Sequence, residues 1–349
     1  MLKATFKKHI LEFILPAGTS RGVLKTKETW LLVIQKEERI GIGECGMLRG
    51  LSIDDRPDYE EKLQWVCDHI GMGLEALYAE MMEFPSIQMG LETASKSLEA
   101  ADPFQIFPSQ FSRGENGISI NGLVWMGDKE FMNRQISEKI KAGFGCIKMK
   151  IGAIDFQTEL DLLHSIRKEF SPNDIELRVD ANGAFTLGEA LEKLKQLSEI
   201  ELHSIEQPIA KGQWAAMAGL CEKSPLAIAL DEELIGIFNS KEKIRLIETV
   251  KPHYIILKPS FVGGFKGSDD WISIAETYGV QWWMTSALES NVGLNAISQY
   301  TFTKNSKLPQ GLGTGSLYTN NIESPLLVRN GRIHYDTNIP WNMEILNFK

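Results

Sequence analysis

Five charged residues in the middle of this chain are spaced evenly enough to serve one site. Lys150 (CIKMKIG), Asp180 (RVDAN), Glu206 (SIEQP), Asp231 (ALDEE) and Lys258 (IILKPS) follow one another at intervals of 25 to 30 residues. That interval holds one β-strand, one helix and two short loops, so each residue ends a different strand on a common rim. Asp180, Glu206 and Asp231 are three carboxylates with no Cys or His among them. Such an oxygen-only donor set selects Mg²⁺ or Mn²⁺ over Zn²⁺. Each taken alone has a bland reading, as a helix cap, a solvated loop residue or an ion-pair partner. Three at consecutive strand ends favour a shared metal site.

The lysines carry a second argument. Lys148 and Lys150 flank Met149 on one strand, so both point to one side and Met149 to the other. A solvated edge strand would give the same pattern, but a strand buried on both faces must turn this pair into the mouth of a barrel. A lysine acting as a base must have its pKa brought from about 10.4 to near neutrality, roughly 4 kcal/mol. A positive charge about 5 Å away contributes near 3 kcal/mol at an effective dielectric of about 20, so Lys148 and a metal together suffice.

The elements that must position these residues follow from pattern. FKKHILEFIL and TWLLVIQ read as an antiparallel pair joined by the loop PAGTSRGVLKTKE, with a third strand at IGIGEC. Helical periodicity runs from Leu63 to Ala101, and QIFPSQFSRGENG marks a connection. From Ile118 onward, short apolar runs alternate with amphipathic helices. ISINGLVWM, GCIKMKI, IELRVDA, LHSIEQPI, LAIALDE, YIILKPS, VQWWMTSA and a last strand near PQGLGTG make eight units, expected as an α/β parallel barrel. Residues 1–112 are expected to form a separate α+β domain, to which 320–349 return, and 113–319 the (β/α) barrel.

Composition narrows the function classes. The chain has 349 residues, 43% of them hydrophobic, and a net charge of -9, with scattered basic residues. Nucleic acid and anionic membranes are therefore unexpected partners, and a small-molecule substrate is expected. Cys45, Cys67, Cys146 and Cys221 show no close pairing, the start MLKATFKKHI lacks an apolar signal core, and no uninterrupted apolar run could span a membrane. A cytoplasmic location is expected. Oligomeric state leaves no signal.

KMK, VDANGAF, IEQP, LDEE and ILKPSFVGGF together resemble the enolase superfamily in its muconate-lactonizing branch, over residues 118 to 318. The resemblance implies a TIM barrel with a capping domain whose loops close over the substrate. It also implies metal carboxylates at Asp180, Glu206 and Asp231, with Lys150 as base and Lys258 on the opposite face. PAGTSRG, SALESNVGLNAIS and GLGTG further resemble the o-succinylbenzoate synthase family, which implies a syn-dehydration of a dicarboxylate in menaquinone biosynthesis. Dipeptide epimerases of this branch carry an acidic Asp-x-Asp pair where this chain has Gly313 and Gly315. Mandelate-racemase-like members use a seventh-strand His, and none of the six histidines stands there. N-succinylamino acid racemisation, dipeptide epimerisation and a non-catalytic binding role remain the alternatives.

Several further residues are candidates by position. Lys148 is expected to assist Lys150 and contact the substrate carboxylate. Arg21, in a Gly-flanked loop, could meet a second carboxylate, as could backbone N–H groups between Ser286 and Ser290. Met47, Leu48 and Leu51 could form an apolar wall. Gly313 leaves room where an ammonium-binding acid would stand. Asn182 and Gln207 follow the metal carboxylates and could orient them, or be ordinary loop polars.

Overall fold

Strands β1 (Leu2–Thr19), β2 (Gly22–Lys36) and β3 (Arg39–Cys45) form an antiparallel sheet in that order. The computed structural model describes residues 2–19, 22–342 and 344. Both arms of the first hairpin are longer than expected. PAGTSRGVLKTKE is mostly strand, with Ala17 paired to Leu24 and Gly18 to Val23, after a register shift between Glu12 and Ala17. Pro16, which cannot donate to a ladder, falls within that irregularity. The helices Tyr59–Asp68, Leu74–Glu80 and Pro85–Glu99 fill the expected helical stretch. The last crosses β3 closely, since a Cβ on Gly43 would stand 2.0 Å from the Gly90 carbonyl oxygen.

The barrel begins at β4 (Ile118–Ser119) and β5 (Gly122–Val124). It continues through β6 (Cys146–Lys150), β7 (Glu176–Asp180), β8 (Ser204–Glu206), β9 (Ile228–Leu230), β10 (Tyr254–Leu257) and β11 (Gln281–Met284). Strands β5 to β11 make one parallel sheet in sequence order. The expected eighth strand is not a strand. Only two isolated parallel bridges occur there, Ile120 with Gln310 and Thr285 with Gly311, yet they join both edges of the sheet. The glycines at 311, 313 and 315 supply no side chains to pack, which limits the pairing to two residues.

Local signals place the intervening helices. Asp128 and Asp155 accept from the N–H groups of Phe131 at 2.8 Å and Thr158 at 3.0 Å, capping the helices Lys129–Lys141 and Phe156–Glu169. The expected capping box of Thr186 and Glu189 opens the helix Leu187–Ser198, which buries Leu194 and Leu197. The tail hairpin, β12 (Leu326–Arg329) and β13 (Arg332–Tyr335), pairs with β4 and not with the first sheet. Residues just before it do reach that sheet, where Asn320 Nδ2 donates to the Ile10 carbonyl at 2.8 Å. One continuous apolar core fills the barrel and takes in Leu11, Phe13, Ala17, Leu48 and Met89 from the N-terminal region. All four cysteines are free and buried. Among the described residues, no helix is long and apolar enough to cross a membrane.

Candidate active site

Parallel register sets the rim. Lys150 pairs with Asp180 and Asp180 with Glu206, so three strand ends lie side by side, while Asp231 and Lys258 immediately follow β9 and β10. Strands β6 and β10 are four places apart in a ring of eight. Lys150 and Lys258 therefore stand on opposite sides of the mouth.

Lys148, Lys150, Asp180, Glu206 and Asp231 are all less than a tenth exposed. Charges so deep must be paired. Lys148 Nζ donates to Glu206 Oε2 at 2.7 Å and to Asp180 Oδ2 at 3.3 Å. Lys150 Nζ donates to Asp180 Oδ2 and to Asn182 Oδ1, both at 2.8 Å. Lys258 Nζ donates to Asp231 Oδ2. Burial works against the charge on Asp180, but Lys150 and Lys148 outweigh it and hold its carboxyl well below the usual range. Burial pushes Glu206 far up, and the like charges of Asp180 and Asp231 add to it. Burial alone would lower Lys148, yet Glu206 and Asp180 raise it above an ordinary lysine.

The arrangement fits a hard divalent cation. Glu206 Oε1 is buried with no hydrogen-bond partner, and its oxygen-only neighbours crowd negative charge that a cation relieves. Among the described residues, no three Asp, Glu, His or Cys side chains already converge as a metal cage. The carboxylates instead turn to the lysine ammonium groups, which occupy the place of positive charge.

Backbone strain flanks these carboxylates. Asn182 and Gln207 both have positive φ, 45° and 41°. Asparagine tolerates that region, whereas glutamine must be held in it. Gln207 Nε2 donates to the Ile209 carbonyl at 3.0 Å and Glu233 Oε2 at 3.1 Å, and its Oε1 accepts from the Asp231 N–H at 3.3 Å. It thus ties the strand end bearing Glu206 to the loop bearing Asp231. Asn182 meets Lys150 directly, and its Nδ2 donates to Glu232 Oε1 at 3.0 Å.

Above this rim lies a cavity of about 270 Å³. Lys148, Lys150, Asp180, Asn182 and Lys258 line one part of it, and Leu48, Leu51, Ser286 and Gly313 another. Glu206, Asp231 and Gln207 lie beneath its wall. Met47 packs in the core under the first sheet, and Arg21 lies outside the described residues. Ser290 is fully buried away from the cavity. Its N–H donates to Glu44 Oε1 at 2.8 Å and its hydroxyl to Glu44 Oε2, and it caps the helix Asn291–Thr303. The neighbouring N–H groups are engaged as well. Ser286 donates to the Gly311 carbonyl at 3.1 Å, Ala287 to Glu289 Oε2 at 2.6 Å and Leu288 to Ser286 Oγ at 3.3 Å. Asn121, Trp125, Thr285 and Thr314 also line the cavity. Alternation along the first barrel strand, and the place of Thr314 between Gly313 and Gly315, were the signals that could have found Trp125 and Thr314.

A capped parallel barrel whose rim carries three carboxylates between two opposed lysines defines a class of enzymes that remove a proton next to a carboxylate. The chain belongs to the enolase C-terminal domain-like family, whose model matches residues 132–339. It is 42% identical to the o-succinylbenzoate synthase of Desulfotalea psychrophila, over 95% of this chain and 98% of that one. The crystal structure of MenC from Desulfotalea psychrophila superimposes with a TM-score of 0.84 at 39% identity, covering 95% of this chain and 99% of that chain. The L-Ala-D/L-Glu epimerase of Bacillus subtilis, 19% identical, shares the fold with a TM-score of 0.82, covering 97% of this chain and 96% of that one.

Proposed function

We propose that the chain is an o-succinylbenzoate synthase, converting 2-succinyl-6-hydroxy-2,4-cyclohexadiene-1-carboxylate to o-succinylbenzoate by syn-dehydration, a step of menaquinone biosynthesis. The observation that carries the reading is the opposed pair Lys150 and Lys258 across a rim of three carboxylates, in a chain 42% identical to an o-succinylbenzoate synthase. Residues 1–112, with the segment around Asn320 that reaches their sheet, act as the capping domain and 113–319 as the catalytic barrel, with whose strand β4 the hairpin β12–β13 pairs. A cytoplasmic enzyme fits this role.

Asp180, Glu206 and Asp231 would hold a divalent cation, Mg²⁺ or Mn²⁺, which would supply positive charge to stabilise the substrate carboxylate as negative charge develops on it. Lys150 Nζ removes the proton alpha to that carboxylate. The C–H electron pair passes first into the substrate carboxylate as an ene-diolate, then returns to form the ring double bond as the C–O bond breaks, and Lys150 gives its proton to the departing hydroxide, releasing water. Aromatisation drives this second step. Lys258 faces the other side of the ring, where its ammonium stabilises the intermediate by a cation–π contact of about 1 kcal/mol or more. Lys148 contacts the substrate carboxylate and offsets the repulsion between Asp180 and Glu206, which it bridges. Asn182 orients Lys150, and Gln207 orients Asp231. Leu48 and Leu51 form the apolar wall, and Gly313 leaves room for the succinyl chain.

The test is ultraviolet detection of aromatic product from the cyclohexadiene substrate with Mg²⁺. Lys150→Ala is expected to lose both dehydration and exchange of the alpha proton, because no other group on that face takes it. Wild-type-like turnover in that variant would rule out Lys150 as the base.

A further inference from the structure

Ser286 and Thr314 face each other across the ends of the seventh and eighth barrel strands. Their hydroxyl oxygens are 2.6 Å apart, a hydrogen bond in which either can donate. Both side chains are buried, and both line the cavity. Each hydroxyl carries one hydrogen, and only one hydrogen lies between the two oxygens. Ser286 Oγ also accepts from the Leu288 N–H at 3.3 Å, which adds a donor and removes none. Whichever oxygen donates to the other, one O–H remains with no acceptor among the described residues. A buried donor of that kind requires a partner, and the cavity is where one can come from.

The group it meets is set by what surrounds it. The backbone N–H groups of Ser286, Ala287, Leu288 and Ser290 already have acceptors in the protein. From these two side chains a carboxylate would find a single neutral donor, too little for a buried charge, whereas one O–H satisfies a neutral carbonyl oxygen. We infer that the Ser286–Thr314 hydroxyl pair is the binding site for the ketone oxygen of the succinyl chain. The inference rests on the reading of the substrate given above and names the atom that this part of the pocket recognises. The pair is a two-residue unit with one hydrogen to give, so removing a single hydroxyl leaves a donor in place and removing both leaves none.

The test compares dissociation constants, with Mg²⁺ present, for o-succinylbenzoate and for its analogue with CH₂ in place of the ketone. The wild-type protein should prefer the ketone by about tenfold, the upper range for one neutral hydrogen bond. Ser286→Ala/Thr314→Val should bring the ratio close to one, while Thr314→Ser should retain it. If that double variant does not fold, Ser286→Ala/Thr314→Ala, which also leaves no donor, replaces it. An unchanged ratio in the double variant, or an equal loss of affinity for both ligands, overturns the inference. Failure of the wild-type protein to bind o-succinylbenzoate or to form it would instead remove the proposed function.

Discussion

Lys148 is the residue around which the site's charges balance. It bridges Glu206 and Asp180 from the second barrel strand, so the carboxylates most crowded by like charge share one ammonium. A divalent cation held by Asp180, Glu206 and Asp231, as proposed, would bind the folded chain and not the unfolded one. At a hundred times its dissociation constant it should stabilise by about 2.7 kcal/mol. Thermal unfolding with and without Mg²⁺ reads this directly. Wild-type protein should gain several degrees, and Glu206→Gln, which keeps the shape but removes the negative charge and leaves one neutral oxygen, should lose most of that gain. An equal gain in the two proteins would remove Glu206 from the metal site.

Elements differ in how they hold their ends, and one of these holds is pH-sensitive. Glu92, on the helix Pro85–Glu99, reaches the start of the helix Gly264–Thr277. There it accepts from the N–H groups of Phe265 at 2.5 Å and Lys266 at 3.1 Å. Burial pushes its carboxyl up to about 7. The folded state thus favours the protonated form, so this group's contribution to stability is present below about 4.5 and falls as pH rises through 7. Glu159 and Asp54 are raised in the same sense, to about 7 and about 6, so the whole-protein curve blends several groups. Glu92→Gln isolates one of them. Relative to wild type it should gain on the order of 2 kcal/mol between pH 5 and pH 8, seen as a shrinking melting-temperature gap. A gap that stays constant with pH would remove Glu92 as a titrating contact.

The same elements show where sequence reading succeeds. The rim residues were legible because a charged side chain ending a buried apolar strand has few structural roles, and five of them recur at one interval. Capping of the helix Leu187–Ser198 was legible because its partners are three residues apart. Ser290 was not. Its partner Glu44 is 246 residues away, and no local pattern announces that a strand of the first sheet will cap a helix of the barrel. The eighth strand failed for a related reason. The count of eight repeating units suggested a strand there, but glycines reduced it to bridges that only the closed ring completes.

At the scale of the molecule, pocket shape decides which substrates the common rim can serve. Gly313, which lines the cavity, and Gly315 carry no carboxylate, so a dipeptide's ammonium placed there would be buried without a partner. That costs at least a few kcal/mol of binding and transition-state energy. The succinyl chain makes no such demand. We predict kcat/KM for the cyclohexadiene substrate at least about a thousandfold above that for L-Ala-L-Glu-type dipeptides, equivalent to about 4 kcal/mol. Absorbance and deuterium exchange, measured side by side, check this. Comparable efficiency on the two substrates would overturn the reading of the pocket.

The carboxylate of Glu44, buried in the strand β3, has a consequence for how such proteins diversify. It accepts from Ser290 and from the Gly293 N–H at 2.8 Å, while Leu11, Phe13 and Leu48 lie within the barrel's own core. The cap is therefore not a cassette that recombination could exchange between relatives. A transplanted cap would have to bring both an acceptor for the helix Asn291–Thr303 and side chains that fit a shared interior. The wall of the pocket is freer than the joint beneath it, because Leu51 only half-packs against that core and can be substituted while Glu44 and its partners stay in place.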